Sequence, residues 1–170
     1  MKKTDTLTFV RIAMIAAVYT VVSLALAPIS YGNIQVRIAE ALTILPLLYK
    51  PSIYGVTLGC FLTNLLGAFM GVNPTGFIDA IIGTLATFLA AECTYMLKDK
   101  TVKSFPLWSV LMPVIFNFFF VGAELAVLYF EGNVVLGTLI MGGEVAVGEL
   151  ISVILGWLLL KPLGKTNLFK

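Results

Sequence analysis

Six apolar stretches constrain the fold of this chain more than any other feature of its sequence. They lie at about 7–28, 34–49, 52–70, 75–97, 105–130 and 136–160. The second stretch is short, so it can be tilted, kinked or partly buried in protein. A helix of about 20 apolar residues is long enough to cross a bilayer. Only 12% of the 170 residues are charged, whereas a soluble domain carries about 25%. The sequence therefore predicts an all-α integral membrane bundle of six transmembrane helices, one domain over residues 1–170, that crosses the cell membrane repeatedly.

The first apolar stretch resembles a secretory signal peptide in some respects. Lys2 and Lys3 precede it, and a small-residue motif resembling a cleavage site occupies residues 25–27. However, Pro28 follows this motif immediately, and the stretch is long for a signal peptide. We expect it to be retained as the first transmembrane helix.

The basic residues predict the orientation of the bundle. If six helices alternate, most basic residues fall on the side of the N-terminus: Lys2, Lys3, Arg11, Lys50, Lys98, Lys100, Lys103, Lys161, Lys165 and Lys170. The opposite loops, near 29–36, 71–74 and 131–135, contain no Lys or Arg. Because cytoplasmic loops are enriched in basic residues, both termini are predicted to be cytoplasmic. Arg37 is the exception to this pattern.

The residue inventory argues against several classes of activity. The chain has no histidine, which is the commonest general base and metal ligand. It also has no Walker-type phosphate loop and no Ser/His or Cys/His pair for nucleophilic catalysis. Its net charge of +2 gives no reason to expect a nucleic-acid partner. We therefore expect a binding protein, not an enzyme, with no metal and no cofactor in this chain.

Charged and amide residues inside the apolar segments are the candidate functional residues. A charged side chain at the bilayer centre costs about 2.5–3.5 kcal/mol on insertion scales, so it usually faces a cavity or a partner. Five segments place a polar group in the predicted outer half, which favours a pocket for a small polar solute. The candidates are Arg37, Glu40, Asn64, Asp79, Asn117, Glu124 and Glu144, together with Tyr31 in the first outer loop. Glu149 lies deeper and, with Asn117, could form the pocket floor.

Structural roles remain open for several of these residues. Arg37 and Glu40 are spaced i, i+3 and can pair with each other. Asn64 can bridge two helices, and Asp79 can be an exposed residue at a helix N-terminus. Tyr31 can be an ordinary interfacial tyrosine or a lid that stacks on a planar ligand. Glu149 can be a structural hydrogen-bonding residue, whereas Glu124 and Glu144 are harder to explain structurally.

The first segment also offers a surface for close helix contact. It carries no charge after Arg11, and Ala13 and Ala17 are four residues apart. Small residues at this spacing let two membrane helices approach closely. The pair can pack inside the bundle or contact a partner protein.

Three runs of sequence resemble the QueT family, whose members are substrate-binding S components of energy-coupling factor (ECF) transporters. The runs are QVRIAEALTILP at 35–46, GCFLTNL at 59–65 and DAIIGTLAT at 79–87. The resemblance extends over about the whole chain. It implies a six-helix S component that binds a queuosine precursor, a 7-deazaguanine base such as the 7-aminomethyl form, outside the cell and releases it inward.

The resemblance also implies partner proteins. A transmembrane coupling protein and two ATPase subunits would supply the energy, so that ATP is used by the partners. Ala13 and Ala17 match the alanine motif through which S components dock on the coupling protein. The remaining alternatives are a stand-alone proton-coupled secondary transporter of a small polar solute, with Glu144 or Glu149 as its relay, and a structural membrane protein without a ligand.

The chemistry of such a ligand suggests roles for the candidate residues. One carboxylate, Glu144 or Glu124, can accept two hydrogen bonds from the N–H and the exocyclic amine of the base. Asp79 or Glu40 can pair with the aminomethyl cation. The remaining candidates would complete the site, with Arg37 donating to the ring carbonyl, Asn64 or Asn117 binding the edge of the base and Tyr31 stacking on its face.

Overall fold

The computed structural model describes residues 3–31 and 36–166. Within these ranges the chain forms six α-helices and one 3-10 helix. They are α1 (Lys3–Ala25), α2 (Ala27–Ser30), the 3-10 helix (Ile38–Leu47), α3 (Ser52–Phe69), α4 (Phe77–Met96), α5 (Leu107–Tyr129) and α6 (Val134–Leu163). The β-type backbone pairing among the described residues consists of one isolated antiparallel bridge between Val102 and Phe105.

Five of the described helices, α1 and α3 to α6, are long and apolar enough to cross a membrane. This confirms the prediction of an all-α membrane bundle, and the chain is a multi-pass membrane protein. The cytoplasmic location of its termini stays a prediction.

The second predicted segment differs from the expectation of a sixth spanning α-helix. Within residues 36–49 it forms a 3-10 helix of ten residues, Ile38–Leu47, with Pro46 inside it. Since a 3-10 helix rises about 2 Å per residue, it covers about 20 Å, which is less than the ~30 Å hydrocarbon core. Its residues are apolar because they are buried within the protein, and apolar character alone does not separate a buried segment from a spanning one.

Pro28 determines how the first segment ends. The predicted helix over 7–28 stops at Ala25, and a separate turn of helix, α2, begins at Ala27. A proline inside a helix has no N–H to donate and clashes with the preceding turn, whereas it is tolerated in the first turn of a new helix. The helix therefore breaks at Leu26.

The 3-10 helix lies at the centre of the bundle. The spanning helices pack in chain order, α1 on α3, α3 on α4, α4 on α5 and α5 on α6, while the 3-10 helix contacts all five. Gly156 permits the closest of these approaches, because a Cβ there would lie 2.2 Å from the carbonyl oxygen of Ala41. Ile44 of the 3-10 helix is completely buried in the resulting core.

Candidate functional site

Arg37 is the centre of a buried polar cluster. It lies just before the 3-10 helix, and its Nη2 is 3.3 Å from Asp79 Oδ2 on α4. Its Nη1 is 4.0 Å from Oε1 of Glu40, three residues further along the chain. All three side chains are buried. The local pair expected from the i, i+3 spacing is thus present, but the closer ion pair joins two elements 42 residues apart.

Asp79 is held in place by residues from α3, α4 and the loop between them. Asn73 Nδ2 donates to Asp79 Oδ2 over 3.1 Å, and Asn64 Nδ2 donates to the backbone oxygen of Asp79 over 2.9 Å. A Cβ at Gly83 would lie 2.1 Å from Asp79 Oδ1, so only glycine leaves room for the carboxylate. The exposed position considered for Asp79 is wrong, because its side chain is buried.

Glu40 connects the cluster to α1. The hydroxyl of Tyr19, which is completely buried on α1, donates to Glu40 Oε1. Glu40 Oε2 is buried without a hydrogen-bond partner among the described residues. One carboxylate oxygen is therefore fixed by the protein and the other is available.

Tyr31 covers the guanidinium of Arg37. The centre of its ring is 5.1 Å from Arg37 Cζ, and its hydroxyl donates to the backbone oxygen of Thr63 over 3.2 Å. Burial raises the pKa of Tyr31 to about 12, so the phenol stays neutral and keeps its proton for this hydrogen bond. The ring thus belongs to the cluster, where it stacks on a cation of the protein itself. The neighbouring residues 32–35 of the predicted outer loop lie outside the described ranges.

A small void lies at the centre of these side chains. Its volume is about 20 Å³, and it is lined by Arg37, Glu40, Gly83, Asn117, Val121, Val145 and Glu149. That volume accommodates roughly one water molecule. Asn117 lies beside Glu149, and both residues line the void; their role as a pocket floor stays a prediction.

Acidic groups outnumber basic ones in the interior. Among the described residues, the buried charged side chains are Arg37, Glu40, Asp79, Glu124 and Glu149. Several acceptor oxygens in the cluster have no hydrogen-bond partner in the described part of the chain: Glu40 Oε2, Asn64 Oδ1, Asp79 Oδ1 and Glu149 Oε1. Because buried acceptors and unpaired carboxylates are costly, this arrangement suits a ligand that brings hydrogen-bond donors and positive charge.

Glu124 lies at the edge of the cluster. Its side chain is buried beside Thr75, and neither of its carboxylate oxygens makes a hydrogen bond within the described residues. It also lines an otherwise apolar groove of about 480 Å³ between α4 and α5. The structure therefore places Glu124 near Asp79 but outside the lining of the central void.

Glu144 does not join the cluster, contrary to the expectation that it would line the pocket. The residues of α6 that face the interior include Gly142, Val145 and Glu149, whereas Glu144 is exposed. In a helix with 3.6 residues per turn, a residue five positions before Glu149 points to the opposite side. The depth of Glu144 in the membrane stays a prediction, and the charge that singled it out does not indicate which face of the helix it occupies.

Ala13 and Ala17 both lie on the outer surface of α1. The opposite face of the helix, which includes Ile15, Ala16 and Tyr19, is buried. Packing of the alanine pair inside this bundle is therefore wrong for the described structure. The pair is accessible for contact with another protein or with lipid.

Sequence reasoning missed three residues of the cluster: Tyr19, Asn73 and Gly83. A tyrosine inside a spanning segment was a usable signal, because its hydroxyl needs a partner when it is buried. Asn73 precedes Pro74 in a turn, so the sequence indicated a loop and gave no sign of its contact with Asp79. Glu149 was considered for the pocket floor but was not among the principal candidates.

Comparison with known proteins identifies the family. The family model described as QueT transporter matches residues 9–165. The chain is 31% identical over 171 residues to a protein of Lactococcus lactis subsp. cremoris (strain MG1363) called queuosine precursor transporter QueT, and the match covers 97% of this chain and 96% of that protein. No solved structure matches the chain. The chain belongs to the QueT transporter family, and it is a transporter rather than an enzyme.

Proposed function

We propose that this chain is the substrate-binding subunit of an ECF-type importer and that the Arg37 cluster binds a queuosine precursor, most favourably 7-aminomethyl-7-deazaguanine. The observation that carries the proposal is the surplus of buried carboxylates and free acceptor oxygens around one guanidinium. The name of the Lactococcus relative supports the substrate class.

The aminomethyl base matches this set of acceptors. Its ring N–H and exocyclic amine can donate side by side to one carboxylate, and its ammonium group adds the positive charge that the cluster needs. Glu149 and Glu40 are the best placed to bind these groups, since each lines the void and has a carboxylate oxygen without a partner among the described residues. Arg37 can donate to the ring carbonyl, while Asn64 and Asn117 contribute amides at the edge of the base.

Ligand entry requires the cluster to open. The void of about 20 Å³ is far smaller than the pockets of roughly 300–1,000 Å³ that hold small molecules. Tyr31 closes one side through its contact with Arg37, so its displacement, followed by stacking on the base, is one route of opening. Asp79, Glu40 and Arg37 would then exchange contacts with each other for contacts with the ligand.

The partners in this proposal are a transmembrane coupling protein and two ATPase subunits, which use ATP. The exposed pair Ala13 and Ala17 on α1 offers the close approach that docking on the coupling protein needs. The cytoplasmic side of the bundle, as predicted from its basic residues, would receive the released substrate.

The binding site is tested with purified protein and two matched variants, Glu149→Gln and Glu144→Gln. Both lie on α6 and remove one charge, but only Glu149 lines the void. Loss of a hydrogen bond to a charged group is worth about 1.5–3 kcal/mol, so titration calorimetry with 7-aminomethyl-7-deazaguanine should give an affinity roughly 10- to 100-fold lower for Glu149→Gln. Glu144→Gln should bind like the wild type. Equal affinities for all three proteins would contradict the proposed site.

The charge preference is tested with the neutral 7-cyano form of the same base. Wild-type protein should bind it more weakly than the aminomethyl form, because a nitrile brings no positive charge to the surplus carboxylates. If the protein binds neither the aminomethyl nor the cyano form, the proposed substrate class is wrong.

A proton-coupled secondary transporter is the second candidate, and the same surplus of buried carboxylates favours it. The two functions differ in vesicles that contain this chain alone. A substrate-binding subunit should give uptake only when the coupling protein, the ATPase subunits and ATP are added. Uptake by the lone protein under a pH gradient would establish the second function.

A further inference from the structure

Glu144 lies in an apolar stripe on the outer face of α6. Exposed residues recur there at helical spacing: Ile140, Glu144, Val147, Ile151, Ile154 and Leu158. Glu144 is ten residues from Val134, where α6 begins, which corresponds to about 15 Å along the helix. Its carboxylate is therefore well inside the spanning helix and is directed away from the rest of the bundle.

This position is unfavourable in a lipid environment. Ionisable residues in membrane helices almost always face the interior of a bundle or a cavity, because hydrocarbon penalises them. The short side chain of glutamate cannot reach the interface from this depth as lysine or arginine can. A partner that contributes a positive charge would remove the penalty.

A second copy of this chain is poorly suited to supply that charge. The basic residues inside the predicted spanning segments are Arg11 and Arg37, and Lys161 lies in the last turn of α6, far from Glu144 along the helix. Arg37 is buried and paired with Asp79, and the guanidinium of Arg11 lies over the ring of Tyr49 at 5.6 Å. The complementary cation must therefore come from a different protein.

We propose that the outer face of α6 around Glu144 is a docking surface for a membrane-embedded helix of another protein that places Arg or Lys opposite this carboxylate. The apolar residues of the stripe pack against the partner helix, and the ion pair fixes its depth and register. Gly143 supports close contact, because the position of its missing Cβ has no atom within 4 Å. This surface is separate from the alanine pair on α1, and the inference does not depend on the substrate proposed above.

The surface is tested by photo-crosslinking in native membranes with the full chain. A photoreactive residue replaces Val147, one turn from Glu144 and 51% exposed, or Ile81 on α4, which is 72% exposed and serves as the control face. We expect the probe at position 147 to crosslink to a second membrane protein within an apolar segment that contains Arg or Lys. Adding Glu144→Gln should lower the yield about tenfold, which corresponds to about 1.4 kcal/mol, and Glu144→Asp should retain it.

The decisive step is exchange of the two charges. Glu144→Lys should abolish the crosslink, and replacing the partner's basic residue by Glu should restore it. The proposal is overturned if the adduct does not depend on Glu144 or if the probe crosslinks only to lipid or to a second copy of this chain. It is also overturned if the crosslinked segment of the partner contains no basic residue. An unchanged Tm of purified Glu144→Gln shows that the variant is folded without reference to any ligand, so failure of the docking surface is distinguished from failure of the substrate site.

Discussion

Gly83→Ala tests the geometry of the Arg37 cluster with the smallest possible change. The added Cβ would lie 2.1 Å from Asp79 Oδ1 and 3.0 Å from Asn64 Nδ2. The carboxylate of Asp79 must rotate or shift to avoid it. This movement takes Oδ2 away from Arg37 at 3.3 Å and from Asn73 at 3.1 Å.

The expected magnitude follows from these contacts. Hydrogen bonds to charged groups are worth about 1.5–3 kcal/mol, and overpacking a core costs about 1–3 kcal/mol. Replacement of glycine by alanine within a helix returns at most about 1 kcal/mol. We therefore expect Gly83→Ala to be destabilised by about 2 kcal/mol, and the displaced Asp79 should weaken ligand binding as well.

Gly143→Ala is the matched control. Gly143 is also inside a spanning helix, but a Cβ there meets no atom within 4 Å. Thermal unfolding of the purified proteins should show a Tm about 5 °C lower for Gly83→Ala, from roughly 2–4 °C per kcal/mol in a chain of this size. The control should unfold at or slightly above the wild-type temperature.

Equal unfolding temperatures and equal ligand affinities for Gly83→Ala and Gly143→Ala would contradict a fixed position of Asp79. That result would mean that Asp79 can move freely without loss of its contacts. The buried ion pair would then not be part of a fixed site.

Three further predictions concern the same cluster. Asp79→Asn should lower the free energy of unfolding by about 3–5 kcal/mol, because it leaves Arg37 buried without its closest carboxylate; chemical denaturation of the purified protein measures this. Tyr19→Phe removes the hydrogen bond to Glu40 and should cost about 1 kcal/mol in the same assay, and an unchanged stability would show that the bond contributes nothing. Burial raises the pKa of Tyr31 to about 12, so this phenol still holds its proton below about pH 11. When the pH is raised to that value, wild type and Tyr31→Phe should therefore show the same increase in tyrosinate absorbance. A smaller increase in the variant would contradict the assigned burial.

The spanning helices were predictable because their signal is local. Runs of apolar residues with prolines near their ends identified α1 and α3 to α6 to within a few residues, as with α3, predicted over 52–70 and observed over Ser52–Phe69. Partial burial in protein was one of the alternatives for the short second segment, but its 3-10 form was not recognised, because an apolar segment enclosed by protein has the same composition as one in contact with lipid.

Several residues of the cluster were predictable from their charge, but the direction in which each side chain points was not. Arg37, Glu40 and Asp79 were selected by their charge and come together in the structure. Glu144 was selected by the same criterion, yet it points away from the bundle. Which face of a membrane helix is internal depends on its neighbours, and both faces of α6 are apolar, so its sequence carries little information about direction.

The central position of the 3-10 helix has a mechanical consequence for ligand entry. In a bundle where each helix touches only its neighbours, one interface can widen while the others stay fixed. Here the 3-10 helix contacts five helices. It adjoins the site through Arg37 and Glu40, and it packs against the backbone of α6 at Gly156. Enlarging the void to the size of a bicyclic base therefore strains several interfaces together, including the one with α1, where Tyr19 holds Glu40.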